Sequence, residues 1–313
     1  MPPTAVPPTA GHHVSNVPGR FGAVLTAMAT PFGQDGALDL DGAATLARWL
    51  ATHGSDGLVV AGTTGEVPTL SDDEKSDLWR AVAEAVTIPV VAGSGTADTA
   101  HSIRLTHIAE GAGASAALVV APYYSRPSQA GLAAHFEAVA SATRLPVVIY
   151  DIPARTGRKV DTSTLLGLAH RCPNIVAVKD AAANPSASAS LLAKAPGGFE
   201  LYSGDDAMTL PLLAVGACGV IGVATHWAGP EMAEMLASFA KGDVDAARVT
   251  NARLVDSYAF ETCDEAPNPV PTKAMLRVLG LPGGPCRPPM GPEPDGLEDR
   301  ARALLAGLAA HRP

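Results

Sequence analysis

Aromatic side chains are scarce in this chain, with three Trp, five Tyr and six Phe among 313 residues. Set beside abundant Ala, Val, Leu and Gly, that scarcity disfavours an aromatic-rich β sandwich and suits packed helices with short parallel strands. No apolar stretch approaches the ~18–20 uninterrupted residues of a membrane-spanning helix, so no membrane partner is expected. Basic patches are missing as well. The formal charge is −9, which argues against nucleic acid, whose binding needs a cationic face to displace counterions from phosphates. A small anionic substrate would meet a mildly repulsive field and would have to be captured by local donors inside a pocket.

Cysteine is also sparse. Cys172, Cys218, Cys263 and Cys286 lie far apart and form no pair motif, so reduced thiols and a cytoplasmic location are expected. The first nineteen residues hold five prolines and lack the charged start and apolar middle of a secretory signal. Met1 to Arg20 is therefore read as a mobile tail, and His12-His13 as part of it rather than as a metal site. The remainder is long enough to bury roughly three quarters of its unfolded surface in one large domain or two small ones.

From Ala23 onward, short apolar runs alternate with amphipathic stretches of helical length, repeating about every 25–30 residues. The runs are Ala23–Thr30, Gly57–Ala61, Pro89–Gly93, Ala116–Ala121, Leu145–Asp151, Ile175–Lys179, Phe199–Ser203 and Gly219–Ala224. Helical patterns such as Asp41–His53, Asp72–Val86 and Thr99–Glu110 separate them, with Ser71 and Asp98 placed to cap. Eight β/α units imply an α/β protein, a (β/α)8 barrel of parallel strands, over residues 21–240. An open doubly wound sheet fits less well, because no dinucleotide fingerprint follows the first strand. Residues 241–313 read as a small C-terminal helical region, with helices near Asp243–Phe260, Thr272–Leu279 and Leu297–Leu308 and a proline-rich connection at Pro282–Pro294.

Lys179 is the anomaly. It closes the apolar run Ile175-Val176-Ala177-Val178, where a buried strand would ordinarily end in another aliphatic residue. Desolvation disfavours an ammonium, so a lysine there can be driven toward ~7–8 and attack carbonyls to form a Schiff base. The alternative is a surface lysine whose stem snorkels over the strand.

Barrel enzymes build their sites at the carboxyl ends of the strands. Strand two ends in Gly62-Thr63-Thr64-Gly65-Glu66, whose hydroxyls and amides can cradle a carboxylate or an oxyanion, unless it is an ordinary glycine turn with a capping threonine. It is no phosphate loop, since no Gly-Lys-Ser or Gly-Lys-Thr follows. Strand four ends in Tyr123-Tyr124 and strand five in Tyr150. Singly each is a plausible packing residue; together they offer phenols near Lys179, with a threonine to relay protons between them. Arg155 offers a planar fork for a second carboxylate. Ser203-Gly204-Asp205-Asp206 reads as a helix cap and pocket rim. A metal site would call for paired histidines, and the nine present are scattered. Gly219-Val220-Ile221-Gly222 leaves backbone carbonyls reachable at the barrel mouth.

These motifs, with Arg126-Pro127-Ser128-Gln129, Val178-Lys179-Asp180 and Asn268-Pro269-Val270-Pro271-Thr272-Lys273, resemble the pyruvate-dependent class I aldolases, and among them the dihydrodipicolinate synthase family. The resemblance runs from Phe21 to Leu308. It implies that Lys179 forms a pyruvate imine, that Tyr150 shuttles protons above it, and that Thr63 links Tyr150 to a Tyr124 supplied by a neighbouring subunit. It further implies that Thr64 and Gly204 help hold pyruvate, that the Ile221 carbonyl lines the pocket, and that Arg155 binds the carboxylate of aspartate semialdehyde. A homotetramer with no metal or organic cofactor follows from the same likeness, in diaminopimelate and lysine synthesis. Lysine-inhibited members gather an amide, a carboxylate and histidines where this chain has Val67, Asp72, Lys75, Ala97 and His101, so weak or absent lysine feedback is expected. Two other functions compete: a sister aldolase acting on N-acetylneuraminate or a 2-keto-3-deoxy sugar acid, and a noncatalytic barrel that binds a keto acid.

Overall fold

The computed structural model describes residues 18–310, so His12, His13 and most of the expected tail lie outside it. Eight parallel strands close a barrel in chain order: β1 Val24–Ala27, β2 Gly57–Val60, β3 Val90–Gly93, β4 Ala116–Val120, β5 Val147–Asp151, β6 Ile175–Asp180, β7 Glu200–Ser203 and β8 Gly219–Gly222. Seven lie inside the runs read from sequence, and β6 continues one residue past Lys179. Ser71 and Asp98 both cap as expected. The Glu74 amide donates to Ser71 Oγ at 3.1 Å and the Ser71 amide to Glu74 Oε2 at 2.8 Å, and Asp98 Oδ1 accepts from the His101 amide at 2.6 Å. Two short helices that the periodicity did not reveal, Pro153–Thr156 and Thr209–Leu213, follow β5 and β7. No helix among the described residues is long and apolar enough to cross a membrane.

Alternation along each strand divides the core into two layers. Leu25 and Ala27 of β1, Val59, Val91, Leu118, Val148, Tyr150, Ala177 and Ile221 fill the barrel interior. Their chain neighbours Val60, Val119, Ile149 and Val178 pack outward against the helices. One irregularity matters for the site. The β5–β6 register steps from Val147↔Ile175 to Val148↔Ala177, leaving Val176 as an extra residue, and then runs on to Tyr150↔Lys179. That bulge fixes the parity of the end of β6, so Ala177 and Lys179 share the inward face with Val148 and Tyr150.

At the amino end of the barrel, Phe21 plugs the interior and its amide donates to the Tyr202 hydroxyl at 3.2 Å. The Arg20 amide donates to Glu200 Oε1 at 2.7 Å, so this last residue of the expected tail is fastened to β7.

The C-terminal helices Val244–Phe260, Val270–Val278 and Leu297–Ala309 do more than decorate the barrel. Leu254, Met275, Ala301 and Leu308 continue the core formed by Met232 and Met235 of the helix Thr225–Ala240. Glu66, in the loop after β2, is buried with its Oε1 2.5 Å from Lys273 Nζ, and its Oε2 accepts from the Arg287 amide at 2.8 Å. Lys273 also donates to the Pro285 carbonyl at 2.8 Å and stands 4.2 Å over the Phe32 ring. Burial pushes the Lys273 ammonium down while Glu66 pulls it back.

Removing one member of such a pair strands the other charge in a low dielectric. Lys273→Met is expected to cost about 3–5 kcal/mol of stability, most of it restored in the double variant Glu66→Gln/Lys273→Met. Urea unfolding of the wild type, the single and the double variants checks this. Equal stability of wild type and single variant would show that the pair does not hold the loop.

Candidate active site

Lys179 and Tyr150 sit side by side because their strands are paired in register, and Lys179 Nζ lies 4.3 Å from the Tyr150 ring centroid. Each is only 5% exposed. The snorkelling alternative therefore fails, since the whole side chain and not the stem alone lies inside. Burial pushes the Lys179 ammonium down to about 8; Asp206 and Glu261 oppose that shift, and Arg155 adds to it. The same burial pushes the Tyr150 phenol up to about 12, against a hydrogen bond from Thr63 and the nearby Arg155 guanidinium.

A cleft of about 430 Å³ opens at this end of the barrel, lined among others by Gly62, Thr63, Tyr150, Arg155, Asn268 and Tyr124. The loop after β2 gives it one wall. The Thr63 side chain meets the Tyr150 hydroxyl. Thr64, 2% exposed, accepts a hydrogen bond at Oγ1 from Asn268 Nδ2 at 3.0 Å. Asn268 is itself steadied by the Thr272 hydroxyl, which donates to its Oδ1 at 3.2 Å. The short helix Pro153–Thr156, begun by Pro153 and stopped by left-handed Gly157 at φ 69°, carries Arg155 on an exposed edge of the cleft.

Gly204 lies against the lysine stem. A methyl group there would come within 2.9 Å of Lys179 Cγ and 3.1 Å of Cε, so only glycine leaves the side chain its place. Ile221 is buried with Leu25 and Tyr150 in the inner core, and its side chain is not part of the cleft lining. Tyr124 stands apart from the Tyr150–Thr63 pair. It is 96% exposed, on a left-handed backbone with φ 70°, and reaches the cleft only at its rim.

The reading of Ser203–Asp206 needs correction in one residue. Asp205 does cap the next turn, accepting from the Ala207 amide at 3.1 Å. Asp206 is no rim residue: it is 1% exposed, and its Oδ2 accepts from the Val223 amide at 2.8 Å. Among the described residues, no group of three or more His, Cys, Asp and Glu side chains is arranged to hold a metal ion.

Two participants were not assigned from sequence. Asn268 belongs to a motif that was noted, but its partner Thr64 is 204 residues away and no local pattern joins them. Glu261, just past the helix Val244–Phe260, acts on Asp206 and Lys179 although it reads as an ordinary solvated helix end.

The model of the dihydrodipicolinate synthetase family matches residues 20–307. The 4-hydroxy-tetrahydrodipicolinate synthase of Acidothermus cellulolyticus is 54% identical over 94% of this chain and 93% of its own. The enzyme called 4-hydroxy-tetrahydrodipicolinate synthase 2 in Streptomyces coelicolor is 46% identical over 98% of this chain and 99% of its own. Among solved structures, the lysine-bound synthase of Cyanidioschyzon merolae superposes with a TM-score of 0.89 at 40% identity, covering 93% of this chain and 99% of that one. A variant described as the first monomeric dihydrodipicolinate synthase superposes at 0.88 with 32% identity, covering 94% and 97%. With a closed eight-stranded barrel, an inward lysine beside a tyrosine, and relatives matched over nearly their full length, the chain belongs to the dihydrodipicolinate synthetase family.

Proposed function

We propose that the protein is a 4-hydroxy-tetrahydrodipicolinate synthase, condensing pyruvate with L-aspartate 4-semialdehyde through an imine on Lys179. The observation that carries the reading is the buried amine itself, paired in register with Tyr150, which lines a cleft with an arginine on its edge. A pKa near 8 leaves roughly a tenth of the lysine neutral at pH 7, against about one part in a few thousand for a free lysine. That neutral amine adds to the pyruvate carbonyl. Loss of water gives the imine, the methyl group loses a proton to form an enamine, and the enamine carbon attacks the aldehyde. The amine of the condensed product then displaces Lys179 as the ring closes. No metal or organic cofactor enters this sequence.

Tyr150 suits the proton transfers because, with its pKa raised, it stays a neutral phenol able to donate to the departing hydroxyl. Thr63 is its relay. Thr64, oriented by Asn268, and Gly204 with the Ile221 carbonyl are assigned to the pyruvate end. Arg155 is assigned to the semialdehyde carboxylate, a short anionic aldehyde being a better match for a guanidinium than a sugar chain. Tyr124, turned outward in one chain, is assigned to the relay of a neighbouring copy in a homotetramer, and its near-complete exposure is the support for that reading.

In a coupled assay, the protein is expected to condense pyruvate with aspartate semialdehyde faster than it cleaves N-acetylneuraminate or 2-keto-3-deoxy-gluconate; the reverse order would favour the sister aldolases. Borohydride with pyruvate should add mass at residue 179, and an adduct elsewhere or none would favour a binding barrel. Because only the neutral amine attacks, kcat/KM for pyruvate should climb about tenfold per pH unit below roughly 8 and level off above it. A profile flat from pH 6 to 9 would contradict this.

Asn268→Ala removes the donor that orients Thr64. At about 1–1.5 kcal/mol for the lost bond, KM for pyruvate should rise roughly tenfold, with the pH limb of Lys179 unmoved. An unchanged KM would show that Thr64 needs no such support.

Lysine feedback should be weak or absent. Asp72 already receives His101 Nε2 at 2.9 Å and has Lys75 Nζ at 3.6 Å, so an incoming ammonium finds this carboxylate occupied and a like charge beside it. Half-inhibition by sub-millimolar lysine in the steady-state assay would refute that expectation.

A further inference from the structure

Asp206 and Glu261 form a carboxyl pair for which the reaction as described has no use. Asp206 Oδ1 and Glu261 Oε2 are both buried without a hydrogen-bond donor. The two side chains nevertheless meet each other in hydrogen-bond contact. Two ionised carboxylates cannot make such a bond, since each is an acceptor only. A single proton between them satisfies both orphaned oxygens and leaves the pair with one negative charge.

The surroundings fix what that charge does. Acting on Asp206 are Glu261, Lys179 and Asp205; acting on Glu261 are Asp206 and Asp205; and both carboxyls act on the Tyr258 phenol, whose hydroxyl donates to Asn251 Oδ1 at 3.3 Å. Acting on Lys179 are Asp206 and Glu261, which favour its charge, and Arg155, which opposes it, while its Nζ stands 4.3 Å from the Tyr150 ring centroid. Lys179 is thus the only cation among the groups that act on the pair, and within the described residues neither carboxyl is engaged in a salt bridge of its own.

We propose that Asp206 and Glu261 share one proton and together serve as the counter-ion of Lys179, one negative charge that balances the cation on the lysine nitrogen as ammonium and again as iminium. This deepens the imine reading and rests on it. The charge count of the step fits a fixed counter-ion. When ammonium and ketone become iminium and water, the C=N bond forms, both C–O bonds break, two N–H protons leave in the water, and the nitrogen keeps a net charge of +1. No proton need enter or leave the pair. A doubly ionised pair would hold the ammonium too firmly to deprotonate, and an uncharged one would leave the iminium unbalanced in a dry site. Both are positioning residues in this account, since they act on substrate only through Lys179.

The test uses the full-length enzyme. Asp206→Asn removes the negative charge and is expected to move the acid limb of kcat/KM for pyruvate down by about one pH unit or more. Glu261→Gln, which replaces a protonated acid by a neutral amide donor, should move the limb less than half as far. An unmoved limb in Asp206→Asn would overturn the proposal, as would a shift in Glu261→Gln as large as that in Asp206→Asn, because Glu261 would then have been ionised. Infrared difference spectra of wild type against Glu261→Gln at neutral pH give a second readout that needs no folded Asp206 variant. A protonated-carboxyl C=O band present only in the wild type is expected, and its absence would overturn the shared proton. If wild-type Lys179 is not trapped by pyruvate and borohydride, the imine reading fails, while the infrared band still decides the shared proton.

Discussion

An ammonium buried at the carboxyl end of a closed barrel is the constraint that the surrounding structure answers. Moving Lys179 out of water disfavours its charge, and the barrel offers it neither a hydrated surface nor a simple salt bridge. Its environment instead strikes a balance: burial and Arg155 push the proton off, while Asp206 and Glu261 keep it from leaving altogether. In the proposed reaction both influences are needed: the carboxyl pair lets the nitrogen carry the positive charge that makes an imine an electron sink, and desolvation keeps it from staying wholly an ammonium at neutral pH.

Such a balance needs groups held to within fractions of an ångström, which is where the C-terminal helical region earns its place. Glu261 follows the first of its long helices, Asn268 reaches Thr64, and Lys273 and Arg287 grip Glu66 at the base of the same loop. Two faces of the site are therefore set by chain that comes after the barrel has closed. The eight strands supply the register that pairs Tyr150 with Lys179; the later helices fix the threonine loop and bring Glu261 to Asp206.

What could be read from sequence divides along the same line. The eight strands, the inward lysine, Tyr150, the threonine loop and Arg155 were legible because each rests on local pattern: an apolar run, a strand end, a glycine-rich turn. Strand limits shifted by a residue or a few, and the helices at Pro153–Thr156 and Thr209–Leu213 were too short for any period to register. Asn268 and Glu261 escaped assignment for a different reason. Their work depends on contacts across the fold, and an asparagine after a proline or a glutamate at a helix end carries no local mark of a buried partner. Asp206 was misplaced at the rim because a Gly-Asp-Asp sequence after a strand is an ordinary capping pattern; Asp205 alone fulfils it.

One environment shifts two neighbouring groups in opposite directions to one end. Burial lowers the lysine to about 8 and raises the tyrosine to about 12, so near neutrality the amine is partly free while the phenol keeps its proton. The nucleophile and the acid of the proposed reaction thus draw their opposite properties from the same low dielectric. The ordering also limits what Tyr150 can do. It cannot stand as a ready phenolate base, so any proton it takes must be passed on as it arrives, and Thr63 is the hydroxyl in contact to receive it. The role proposed for the outward Tyr124, as the far end of a relay completed between chains, follows from the same limit, since Thr63 can donate in only one direction at a time and needs a second hydroxyl beyond it to carry a proton through.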